Sequence, residues 1–338
     1  VQQWLATNRE ALLPQTRKVM FRVLCAAAIT AGMVSAAMAK CAQVEITEMN
    51  WTSSQLVTAV ASSIMEKGYG CTVKRVASTT VKAMASVAET GKPDIVSELW
   101  INSAPTYPAL IEAGKVETLA NVLSDGGVEG WWIPKYLADK HPELRTIDGI
   151  LKAPKLVGGA FHNCPTGWGC RVINDNLAAA FALKKNGLTI IDHKSGETLA
   201  DSIASAFATK QAWFGYYWAP TAILGKYPMV KVDVGPYVES AHACNKRSDC
   251  KSPAKSAYPT ARVITFATKG FIAREPAIAE LMKKLSFTNN HMGKLLAWKA
   301  AKNATADEAA QHFLATYPEV WSDWVSEDAR KKLIALSN

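Results

Sequence analysis

The 338-residue sequence has few of the groups that catalysis needs in one place. Its six histidines are dispersed. No G-x-S-x-G, H-E-x-x-H or G-x-x-x-x-G-K-[ST] occurs, which removes the signatures of the α/β-hydrolase elbow, the zinc peptidases and the P-loop. Charged residues make up only 20%, and no five or six of one sign run together. The formal net charge of +9 is therefore scattered and forms no basic stripe of the kind nucleic acid requires. The apolar run at residues 23–34 falls short of the ~20 residues of a membrane span. Past residue 39 there is no internal repeat and no low-complexity tract.

What is present is an ordinary globular composition, 49% hydrophobic, long enough for about two domains of ~150 residues. Residues 1–39 stand apart. Arg17, Lys18 and Arg22 precede the apolar run, which ends in Ser35-Ala36-Ala37-Met38-Ala39. A charged segment, an apolar segment and small residues at Ala37 and Ala39 make a secretory leader with cleavage after Ala39. The stretch before Met20 reads as an upstream extension. An N-terminal anchor is the competing reading. A lipid anchor fits poorly, because Lys40 precedes Cys41 and Cys25 sits close to the charges. Removing residues 1–39 takes four basic residues and one acidic residue and leaves a net charge of +6. The expectation is an exported, periplasmic, monomeric protein that binds no nucleic acid and needs no cofactor or metal.

The cysteines agree with export. Past the leader, Cys41, Cys71, Cys164, Cys170, Cys244 and Cys250 remain, an even set that suits an oxidising compartment. Proximity pairs Cys164 with Cys170 and Cys244 with Cys250, leaving Cys41 for Cys71. Neither close pair has the C-x2-C spacing of a zinc site.

Residues 44–49 alternate as a strand; an amphipathic helix follows over 55–67, with Ser53 or Ser54 as its N-cap, and 71–76 form the next strand. Cys41 and Cys71 then begin two parallel strands at one sheet edge, a geometry that suits a bridge. Further on, the pattern predicts a helix over 79–90, a strand over 93–100 and a helix over 106–113. Strands alternating with helices imply an α/β lobe with a mainly parallel sheet. Trp131-Trp132-Ile133-Pro134 reads as a crossing into a second lobe. That lobe holds helices over 171–184 and 198–210 and strands over 211–218 and 231–234. Residues 261–267 read as the strand that returns, before the C-terminal helices.

Ten of the eleven tryptophans follow the leader, and Trp51, Trp100 and Trp218 fall at the ends of predicted strands. Ligands of open α/β sheets sit there. Trp168 lies in a glycine-rich loop, Thr166-Gly167-Trp168-Gly169-Cys170, that a Cys164–Cys170 bridge would staple. A helix starting near Arg171 points its free amides into the same space and suits an anion. An aromatic face beside an anion site matches a zwitterion with a quaternary ammonium and a carboxylate. A trimethylammonium group donates no N–H hydrogen bond, so aromatic faces are its best partners. A packing role is the alternative for each tryptophan; Trp131, Trp132, Trp213, Trp298, Trp321 and Trp324 are assigned to it. Trp51 is left between rim and core.

Glu98-Leu99-Trp100, Cys164-Pro165-Thr166-Gly167-Trp168-Gly169-Cys170 and Phe214-Gly215-Tyr216-Tyr217-Trp218-Ala219-Pro220 together resemble the glycine betaine/proline betaine substrate-binding proteins of ABC importers, the OpuAC-like family. The resemblance runs over about residues 43–335. It implies the two-lobed periplasmic-binding-protein (type II) α/β fold, with a ligand cleft between lobes that close on the solute. It implies an aromatic box of Trp100, Trp168 and Trp218, with the backbone amides of Gly169 and Cys170 receiving a carboxylate. Some members place a histidine shortly after a box tryptophan. Here Ala104 and Thr221 stand at those positions, so Thr221 and Asn50 become candidate helpers. Glu98 shares a strand face with Trp100. It either faces the cleft and favours choline-like cations or is an ordinary surface or salt-bridged residue.

The expected organisation is a leader at 1–39, lobe I at 40–130 and 259–338, and lobe II at 131–258. The expected function is non-enzymatic: capture of glycine betaine or proline betaine and delivery to an ABC permease in the inner membrane. Choline, carnitine and dimethylsulfoniopropionate are alternative ligands. A thiol enzyme built on His162 and Cys164 is a distant alternative, weakened because a disulfide sulfur is not a nucleophilic thiolate.

Overall fold

The computed structural model describes residues 41–335; the leader assigned to residues 1–39 lies outside them. No described helix is long and apolar enough to cross a membrane. Strand β1 (Gln43–Met49) pairs in parallel with β2 (Thr72–Ser78) and β3 (Ile95–Trp100). Val44 and Ile46 on one face and Thr47 and Met49 on the other are completely buried. The connecting helix, Thr52–Tyr69, carries no charge before Glu66, which fits its position between this sheet and the helices Ala306–Thr316 and Glu327–Ala335. It starts earlier than the sequence suggested. Its N-cap is Trp51, and Ser53 and Ser54 lie inside the first turn, where Ser54 accepts the amide of Met49 at 3.3 Å. Gly70, at φ 72°, ends it in the left-handed conformation that glycine adopts without strain.

The main departure from the sequence reading is β4 (Val116–Pro134), a 19-residue strand where the sequence shows only a crossing at Trp131-Trp132-Ile133-Pro134. Gly126-Gly127 and Gly130 punctuate the sequence here. In the structure the strand passes through them with shifts of register, and a side chain at Gly126 would meet the carbonyl of Ala261 at 2.6 Å. Residues 116–127 of β4 pair with the returning strand β9 (Ala261–Thr268), which is antiparallel to β3 as well. From Val128 onward β4 exchanges partners and pairs with β7 (Gly215–Ala219), then with β8 (Met229–Lys231). Strand β5 (Ala160–His162) runs parallel to β7 and to β6 (Thr189–Ile191). The resulting order is β2-β1-β3-β9-β4-β7-β5-β6, with β8 on β4. Strand β7 is shorter than the expected 211–218, and β8 stops at Lys231 rather than running to 234.

Disulfides join Cys41 to Cys71, Cys164 to Cys170 and Cys244 to Cys250, with Cα separations of 4.6, 6.1 and 5.1 Å. The first ties the starts of β1 and β2. The second closes the loop that carries Trp168.

Candidate functional site

Four indoles meet around one cavity: Trp51, Trp100, Trp168 and Trp218. Trp51 leaves β1 and caps the helix Thr52–Tyr69; Trp100 ends β3; Trp218 lies on β7. Trp168 caps the helix Gly169–Ala180, which begins two residues before the expected Arg171 and ends at Ala180. Each ring is less than a tenth exposed. Trp168 stands between two of the others, its ring 5.0 Å from Trp51 and 5.1 Å from Trp218, both edge-to-face. That arrangement satisfies the ring quadrupoles and leaves faces for a cation.

Backbone geometry makes room for the rings. A Cβ at Gly127 would lie 2.2 Å from the ring of Trp100, so only glycine lets β4 run beneath it. Gly169 comes so close to Ser103 that a Cβ there would be 2.0 Å from its carbonyl oxygen. Gly167, at φ +88°, turns the loop so that its carbonyl accepts the amide of Val81 at 3.1 Å. The loop of Trp168 is thereby docked onto the start of the helix Thr80–Thr90.

The indole nitrogens are tied from behind. Trp51 and Trp100 both donate to Oε1 of Glu98, at 2.7 and 2.9 Å, and Ser53 adds a third hydrogen bond at 2.9 Å. Glu98 is fully buried and is not in the cavity wall. The expected alternatives, a cleft-facing or a surface carboxylate, are thus both corrected. Glu98 does share the face of Trp100, but the two indoles it anchors screen it. Its removal from water raises its pKa, which the three donors partly offset. Trp168 donates to Asn50 Oδ1 at 2.6 Å, so Asn50 also orients a ring and stands outside the wall. Thr221 caps the short helix after β7 by accepting from Leu224 and lines a neighbouring groove instead. Gly169 and Cys170 do line the cavity, at the first turn of their helix, where amides have no intrahelical acceptor.

The remaining wall was not foreseen: Thr80, Ser103, Tyr216 and Glu129. Glu129 is 2% exposed and sits on β4 just past the exchange of partners. Its Oε1 accepts from the Tyr216 hydroxyl at 2.8 Å, whereas Oε2 has no hydrogen-bond partner. Ser103 Oγ is near enough to stabilise the charged form, yet it too completes no hydrogen bond. Burial pushes the Glu129 carboxyl up to about 7, against smaller opposing effects from Tyr216, Ser103 and Lys231. A lone glutamate between Gly127 and Trp131, in a segment otherwise apolar, was the signal available in the sequence.

Other candidates lie elsewhere. His162 bonds His193 at 2.9 Å and stacks on Trp213, and burial lowers its pKa to about 4. Cys164 is in its disulfide, so the two do not form a thiolate–imidazole pair. Among the described residues, no three His, Cys, Asp or Glu side chains are grouped so as to hold a metal ion. Trp131 is core, its N–H on Asn174 at 2.9 Å.

Residues 42–316 match the family model described as the substrate binding domain of an ABC-type glycine betaine transport system. Among solved structures, the chain is similar to an ABC-transporter choline binding protein in complex with choline (TM-score 0.70, 18% identity, 88% of this chain and 98% of that one). It is also similar to the glycine/betaine/L-proline-binding protein ProX from Borrelia burgdorferi (TM-score 0.69, 15% identity, 86% and 99% covered). A third is lactococcal OpuAC in its closed conformation with glycine betaine (TM-score 0.67, 17% identity, 84% and 99% covered). At these identities the likenesses identify the fold, the two-lobed periplasmic-binding-protein type II fold.

Proposed function

The chain belongs to the family of substrate-binding domains of ABC-type glycine betaine transport systems, and from that membership we propose that it captures a methylated ammonium solute in a cage of Trp51, Trp100, Trp168 and Trp218 and hands it to a membrane permease. One observation carries this reading: four indoles from separate stretches of chain enclose a single small cavity. An N–H-bearing head group would call for hydrogen-bond acceptors on every side, whereas a methylated cation is best held by ring faces. Each desolvated cation–π contact contributes about 2 kcal/mol or less, and micromolar binding needs roughly 8 kcal/mol in all. Several contacts of this kind therefore supply much of the affinity.

The lobes are assigned as 40–130 with 259–338 and 131–258, an assignment supported by the change of partner along β4 between Gly127 and Val128. Working outside the cell membrane, after removal of the leader, fits the three disulfides. The head group is that of glycine betaine, proline betaine or choline; carnitine and dimethylsulfoniopropionate share enough of its chemistry to be compared. Titration of the purified protein with these solutes and with glycine, followed by tryptophan fluorescence, tests the reading. The methylated compounds should bind and glycine should not. Glycine binding better than glycine betaine would end the cage proposal.

A further inference from the structure

Glu129 brings to the cavity something that neither the cage nor the amides of Gly169 and Cys170 explain. A carboxyl oxygen with no partner, in a residue almost entirely removed from water, lines a space otherwise walled by indoles. Buried polar atoms are nearly always satisfied, and an exception at a ligand site points to a partner that the ligand brings. We propose that Glu129 reads the polar end of the ligand, and that the cavity prefers a methylated ammonium cation bearing a hydroxyl or N–H donor over one bearing a carboxylate. This rests on the cage proposed above and specifies what the other end of the solute must be.

The groups around Glu129 support that choice. Tyr216 already donates to Oε1 and holds the side chain in place from β7. Ser103, close enough to Glu129 to stabilise its charged form, has a hydroxyl that completes no hydrogen bond and can accept from or donate to the same ligand atom. Tyr258 is buried nearby and donates to Asn174, so it is occupied. Lys231 is exposed, with its side chain beside Gly130, and is the weakest of the influences on Glu129. A hydroxyl reaching Oε2 satisfies the orphan acceptor. A ligand carboxylate has only acceptors to offer and meets lone pairs with lone pairs unless a proton is taken up. The helix start at Gly169 and Cys170 favours one negative group in this space, and Glu129 supplies it from the protein itself. A second negative group held against the same wall would be repelled. A cation in the cage also lowers the cost of ionising Glu129, so cage and carboxylate reinforce each other.

The test is calorimetric titration at pH 8 of the intact protein and of Glu129→Gln with choline, glycine betaine and tetramethylammonium. Glutamine keeps the shape and can still accept from Tyr216. Choline should bind the native protein at least tenfold tighter than glycine betaine does and tighter than tetramethylammonium. In Glu129→Gln the choline advantage over both should shrink about tenfold. Glycine betaine binding as tightly as choline in the native protein overturns the proposal whatever the variant does. So does a choline-to-betaine ratio left unchanged by the substitution. Tetramethylammonium reports on the cage alone. If it and both other solutes fail to bind, the cage reading is wrong and this inference falls with it; if it binds without the choline preference, only the inference falls.

Discussion

The indole nitrogen of Trp168 lies 2.6 Å from Oδ1 of Asn50, a hydrogen bond that spans 118 residues of sequence and fixes the ring touching both Trp51 and Trp218. Replacing Asn50 by Ala leaves the indole N–H without this acceptor and the ring without its tether. A lost hydrogen bond of this kind costs about 1 kcal/mol. Affinity for every methylated ligand should fall roughly fivefold to tenfold, while Gln at the same position restores less than the native residue. Unchanged titration curves would show that Trp168 is held by its neighbours alone.

The rings themselves differ in consequence. Trp168→Ala removes the face that contacts two other indoles and should be the most damaging. Trp100→Ala and Trp218→Ala should each cost about 1–3 kcal/mol of binding. Equal affinity for all three variants and the native protein, measured by calorimetry, would remove the cage.

Glu98 and Glu129 should separate cleanly. Glu98 anchors Trp51 and Trp100 but does not line the cavity. Glu98→Gln should therefore weaken choline, glycine betaine and tetramethylammonium alike, by about 1–3 kcal/mol for a disturbed charged hydrogen-bond set. A selective loss of choline would mean that the carboxylate reaches the ligand after all.

Proton linkage gives a further check. The folded pKa of Glu129, about 7, lies above its ordinary value of 4.5. The folded protein thus keeps this proton while the unfolded chain releases it, and stability falls as pH rises between those values and levels off above them. The gap corresponds to about 3 kcal/mol. Thermal unfolding of the ligand-free protein should lose ground against Glu129→Gln from pH 5 to pH 7 and hold a constant difference at higher pH. Glu98 is shifted in the same direction but is present in both proteins, so it drops out of the comparison. Choline affinity should rise over the same interval, because binding uses the ionised form. Parallel stability curves would contradict the assigned pKa.

Much of this was legible in the chain. Trp100, Trp168 and Trp218 stand in short, distinctive segments, and the glycines and cysteines around Trp168 advertise a constrained loop. What escaped depended on contacts between distant segments. The first half of β4 is hidden by Gly126-Gly127, a chain-breaking pair that pairing with β9 overrides. Glu98 was placed on the right strand face by alternation, but alternation cannot reveal that indoles from two directions will cover it. Asn50 is read from the sequence as a carboxylate helper in place of the missing histidine; its indole partner lies 118 residues away and no local pattern points to it. Glu129 gave only the weak sign of one acid in an apolar stretch.

The approach of Gly169 to Ser103 has a mechanical meaning. A hydrogen is all that position 169 has room for, since a methyl carbon would sit 2.0 Å from the Ser103 carbonyl. Any larger residue would force the start of the helix Gly169–Ala180 away from the Ser103 backbone and loosen the wall that both residues share. The close packing of this part of the wall thus hangs on the smallest side chain available.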